Sequence, residues 1–165
     1  MKKLVFLFTS LILAASAQAV IIDLEATLDG AQANAGAGTL SPATGSATLT
    51  LDDASNFLKW EISWSGLLGT ETVAHFHGPA GPGSNAGVQE EIAITNPSIG
   101  DMTIKPDQAK DLLAGLWYIN IHSTRDPGGE IRGQVVRVRT PDSGATAVLL
   151  CLGLVGLAAL RRKIC

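Results

Sequence analysis

Two-residue alternation of apolar and polar side chains recurs along this chain, and it restricts the fold more than any other feature. Ile22, Leu24, Ala26 and Leu28 alternate with Asp23, Glu25 and Thr27, while Leu58, Trp60, Ile62 and Trp64 alternate with Lys59, Glu61 and Ser63. Ala47, Leu49 and Leu51 line one side of a third stretch, and Trp117, Ile119 and Ile121 alternate with Tyr118, Asn120 and His122 in a fourth. Successive strand residues point to opposite faces, so each stretch predicts a strand with one buried side. Residues 70–78 read as a further strand with Ala74 and Phe76 on one face and Val73, His75 and His77 on the other, residues 87–94 as another, and residues 130–138 as the last. Turn formers separate them at residues 53–56, 78–85, 96–97 and 123–129, and residues 30–44 form a long loop. Only residues 106–116 change period: Ala109, Leu112, Leu113 and Leu116 fall at helical spacing between Pro106 and Gly115. The pattern predicts a mainly β, antiparallel sandwich or barrel with one short helix, and Trp60, Trp64, Trp117 and Phe76 packed together inside it.

The two ends obey different rules. Met1-Lys2-Lys3, an apolar run over residues 4–15 and Ala17-Gln18-Ala19 have the form of a signal peptide, which places the mature start near Val20. Residues 145–160 form a 16-residue stretch without charge, followed by Arg161-Arg162-Lys163. As a helix it would rise about 24 Å, a short membrane span with its basic end in the cytoplasm. The expected plan is a signal peptide at 1–19, a β domain at 20–139 and a tail at 140–165. Cys151 and Cys165 both fall in that tail, so the β domain has no disulfide, thiolate metal site or cysteine nucleophile. Residues 20–140 carry 14 acidic and 7 basic side chains, a balance that argues against nucleic acid as a partner.

Residues that could carry chemistry are few. Ser63 and Ser123 lack a recognisable base and acid in a triad pattern, and Glu90-Glu91 and Asp52-Asp53 read as solvated charges. The histidines stand out. All three, His75, His77 and His122, lie on predicted strands, and His75 and His77 are two positions apart on one face, close enough to converge on one ion. Two readings stand: ligation of copper or zinc, with Asn120 or Asp126 as supporting hydrogen-bond partners, or hydrogen bonding to the glycine-rich loops.

Tyr118-x-Asn120-x-His122, followed by the run from Pro127 to Gln134 (Pro-Gly-Gly-Glu-Ile-Arg-Gly-Gln), resembles the motif of the CHRD domain, a family named after chordin and found in bacterial secreted proteins. The resemblance covers about residues 21–138 and implies an antiparallel β domain, immunoglobulin-like or superoxide-dismutase-like, with no settled activity attached to it. The His-x-His pair and the later strand histidine are also similar to the copper framework of the Cu,Zn superoxide dismutase family. On that analogy His75, His77 and His122 are the ligands, and Arg132, or alternatively Arg125, compares with the arginine that guides anions. The chain has no fourth histidine to bridge a second metal. Pro141-Asp142-Ser143-Gly144 before the apolar run resembles a PEP-CTERM-type sorting signal, with Thr140 where that variant usually has Val. This implies transient insertion in the inner membrane, cutting by an exosortase-type enzyme, and export to the surface or exopolysaccharide matrix of a Gram-negative bacterium; a permanent anchor is the competing reading. Together these point to an exported binding or structural module, more a non-enzyme than an enzyme, with a three-histidine metal protein, redox-active or not, as the alternative.

Overall fold

The computed structural model describes residues 19–139, so the expected signal peptide and the apolar tail lie outside the described residues. The nine strands are β1 (Ile21–Asp29), β2 (Thr44–Asp52), β3 (Phe57–Ser65), β4 (Glu71–His77), β5 (Val88–Ile92), β6 (Ser98–Thr103), β7 (Tyr118–Ser123), β8 (Ile131–Gln134) and β9 (Val136–Arg137). One helix, α1 (Pro106–Leu113), precedes β7. All pairings are antiparallel, in the order β5-β4-β7-β8-β1-β2-β3-β6, with β9 beside β1. This single sheet curls into a nearly closed barrel, as the alternating pattern predicts.

Alternation decides what fills it. Leu24, Ala26 and Leu28 of β1, Ala47, Leu49 and Leu51 of β2, and Leu58, Trp60, Ile62 and Trp64 of β3 are all buried. From the other wall, Ala74 and Phe76 of β4 and Ile119 and Ile121 of β7 meet them. Phe76 is wedged between two indoles, edge-on to Trp60 at 5.3 Å and tilted against Trp117 at 5.9 Å, while Trp64 is buried in the same core. Ala109 and Leu112 of α1 complete it, and the helix is three residues shorter than its spacing suggests because the chain turns at Gly115.

Two departures from the sequence reading have physical causes. No strand was expected at residues 98–103, yet β6 pairs with β3 along its length. The first half of the strand is inverted in polarity, with Ser98 and Gly100 facing inward and Ile99 70% exposed, and Met102 packs against the core further on. Gly100 is needed because a Cβ there would collide with the Trp60 indole. Asn96 continues the pairing with its side chain, donating to the Trp64 carbonyl at 2.6 Å and accepting from the Trp64 N–H. The expected last strand is also broken in two, because Val135 turns into the core and separates β8 from β9.

The outer face of β7 and β8 is covered as well. Tyr118 is 2% exposed, Asn120 7% and Arg132 2%, since residues 78–87 and 124–130 fold over them. A second, polar layer therefore lies outside the apolar one.

Candidate metal centre

The three histidines converge in that polar layer. Pairing of β4 with β7 sets His75 opposite Asn120 and His77 opposite Tyr118, and His122 is opposite Val73, so the imidazoles share the outward face while Phe76 and Ile121 point inward. Candidate ligand atoms of the three rings all lie within 4.8 Å of one another.

Backbone carbonyls fix how the rings are protonated. His77 Nδ1 lies 3.0 Å from the Ala86 carbonyl and His122 Nδ1 lies 2.8 Å from the Pro127 carbonyl. A carbonyl only accepts, so both Nδ1 atoms carry the proton and both Nε2 atoms keep a lone pair. His77 Nε2 is buried with no partner, and His122 Nε2 is 3.3 Å from His75 Nδ1. Two nitrogens each about 2.0–2.1 Å from one tetrahedral ion stand about 3.3 Å apart, so the His75–His122 pair already has ligand spacing. His77, whose ligand atom is within 4.8 Å of the others, needs to close by at most about 1.5 Å. Burial, then the neighbouring His122, hold the His75 imidazole below its ordinary pKa against the opposing pull of Glu91, its partner across β4 and β5. His77 is lowered too, chiefly by burial, against the opposing bond to Ala86 and with His75, His122 and Arg132 adding to the effect. Both shifts favour the neutral imidazole, the form that ligates.

The other residues singled out from the sequence have separate places. Asn120 donates to the Gly128 carbonyl at 3.1 Å, and its Oδ1 is buried without a partner. That bond holds the turn whose Pro127 carbonyl orients His122. Gly129 sits against the Asn120 amide with φ +116°, where a Cβ would strike the amide, so glycine is required. Asp126 and Arg125 are 3.8 Å apart and line a polar hollow with Asn34, Thr39 and Asn85 that none of the histidines borders. Arg132 is buried, donating to the Ser84 and Gly81 carbonyls and to Gln134 Oε1 at 2.8, 3.2 and 3.0 Å.

Two residues were not foreseen. Tyr118 stacks flat on His77, with ring centres 5.0 Å apart and planes 6° apart, and its hydroxyl accepts from the Ala86 N–H at 3.0 Å. Its signal was present, since Tyr118, Asn120 and His122 share one face at a spacing of two. Glu130 is fully buried, accepting from the Leu68 and Gly69 amides and from the Ser41 and Ser123 hydroxyls at 2.6, 3.2, 2.6 and 2.5 Å. Burial works against its charge, yet these bonds prevail and bring its pKa from 4.5 to about 2.

The sequence model of the CHRD domain matches residues 24–135, most of the chain and the whole of the barrel's polar layer. This chain is a member of the CHRD domain family. A second model, the VPDSG-CTERM motif, matches residues 141–164. This is a PEP-CTERM-like sorting signal, so the CHRD protein is exported, associates with the cell surface and is processed by a sorting enzyme. Comparison with curated proteins and with solved structures returns no match.

Proposed function

We propose that this CHRD protein is an exported surface or matrix module that binds a first-row transition metal, copper in preference to zinc, on His75, His77 and His122. The observation that carries the reading is the pair of Nδ1–H bonds to the Ala86 and Pro127 carbonyls, which turn the Nε2 lone pairs of His77 and His122 toward His75. Carbonyl-oriented imidazoles of this kind are how proteins hold metals, and nitrogen ligands rank copper above zinc. Binding rather than turnover is the role, because the bordering hollow lacks the histidines and Arg132 spends its donors on loop carbonyls. The acidic surface and the sorting signal support release into an exopolysaccharide layer of a Gram-negative envelope after exosortase-type cleavage.

The test is metal titration of the purified protein, with copper and zinc, beside His75→Ala, His77→Ala and His122→Ala. Wild type should take up one ion per chain, and each variant should lose at least about tenfold in affinity. If wild type binds no better than a triple variant, while the single variants lose stability, the imidazoles serve as hydrogen-bonding groups and the reading fails.

A further inference from the structure

Behind the three rings lies a buried cation with no counter-ion among the described residues. The Arg132 guanidinium lies 3.5 Å above the Tyr118 ring, and the opposite stacking contact of Tyr118 is His77 at 5.0 Å. Guanidinium, phenol and imidazole thus form one column that ends on a proposed ligand. Arg132 is 2% exposed, its hydrogen-bond acceptors are two carbonyls and an amide, and among the described residues no carboxylate pairs with it. The three imidazoles are neutral ligands, and the carboxylate that acts on them is Glu91, opposite His75 on β5 and not in the candidate set.

We propose that Arg132, acting through the Tyr118–His77 stack, biases the centre toward the lower metal charge, so that the site is selective for cuprous over cupric copper. The inference rests on the metal reading above and adds a redox preference to it. The physical reason is Coulombic. A fixed positive charge, no further from the His77 ring than the two stacking contacts combined, repels a dication twice as strongly as a monocation. With the partly screened interior of a protein, one unit of charge at that range changes the relative affinity about tenfold. Arg132 is a positioning and tuning residue here, since its own donors are committed to the 78–87 loop and to Gln134.

Removing the charge therefore has an outcome that loss of packing cannot mimic. Dissociation constants for Cu(I), held reduced and measured against a chromophoric chelator, and for Cu(II) are determined for the purified wild-type protein, Arg132→Lys and Arg132→Met. Arg132→Met should tighten Cu(II) more than Cu(I), lowering the cuprous preference about tenfold, which equals about 59 mV in the one-electron midpoint. Arg132→Lys should retain most of the preference. Gln134→Glu gives an independent arm that keeps the arginine: it sets a carboxylate where Gln134 Oε1 now accepts from Arg132 at 3.0 Å, and it should lower the preference in the same direction. Circular dichroism identifies any variant that does not fold, and the preference is then read from the other. Equal weakening of both ions with an unchanged ratio, in folded Arg132→Met or Gln134→Glu, overturns the tuning role and leaves the metal site standing. Wild type that binds neither ion overturns the site itself and this inference with it.

Discussion

Glu130 is ionised where bulk water cannot reach it, and four donors from three different segments make that tolerable. Deleting the charge while keeping the shape leaves the two amides and two hydroxyls poorly matched. Glu130→Gln should destabilise the fold by about 3 kcal/mol in urea unfolding. The pH dependence has a definite sign. The unfolded carboxyl takes its proton near 4.5 and the folded one only near 2, so the stabilisation is complete above pH 4.5 and is lost as pH falls from there toward 2. Thermal melts across that range should show a steep loss in wild type that Glu130→Gln lacks. The imidazoles add a second window. His75 and His77 are lowered, so the unfolded chain binds protons first as pH falls below 6.5, and the metal-free protein loses stability there. Copper adds stability that itself fades as the rings protonate, so the loss should be steeper with metal than without, and stability curves with and without copper would show it.

At the level of elements, β4 makes two sites at once, because its alternation sends Phe76 into the core and His75 and His77 outward. Phe76→Ala should cost about 3–5 kcal/mol, given its contacts with both Trp60 and Trp117. An unchanged denaturation midpoint would contradict the face assignment on which the histidine geometry depends. The turn after β7 couples differently. Gly129→Ala forces apart the Asn120 amide and the backbone that presents the Pro127 carbonyl, so copper affinity should fall about 10- to 100-fold with a smaller effect on the core. These elements also show why sequence reading succeeds in some places and fails in others. The strands β1, β2 and β3 bury one face and alternate cleanly, β4 does so as far as the buried His77, and period two reveals them. By contrast, β6 packs Ser98 and Gly100 inward because the Trp60 indole occupies the space, so Met102 is the lone apolar residue on its inner face and no period shows. The convergence of the histidines was readable from spacing and face, whereas the carbonyls of Ala86 and Pro127 that set their tautomers belong to loops with no period at all. Glu130 sits within the family motif, but its burial depends on Ser41 and on the amides of Leu68 and Gly69, whose approach no local pattern encodes.

Across the whole molecule, the barrel and its sorting signal make one export design, and the mature protein should carry neither processing segment. Intact-mass measurement of the exported protein should show cleavage near Ala19 and near Pro141-Asp142-Ser143-Gly144; a mass that still includes Arg161 and Arg162 identifies the tail as a retained anchor.

The described chain also enters and leaves the barrel side by side. Leu24 pairs with Arg137 and the Val138 amide donates to the Asp23 carbonyl at 3.0 Å, whereas the row holding His75, Asn120 and Arg132 reaches β1 only at Asp29. Asp29 lies about 17–20 Å further along that strand. This separation has a mechanical meaning. Tension applied between the two ends of the barrel would open β9 from β1 one hydrogen bond at a time, like a zip, and yield at low force. A load carried from the far row to a tether at the C-terminal end instead runs lengthwise along the strands and strains many bonds in parallel, so the same barrel is weak when pulled by its ends and strong when pulled by what it holds.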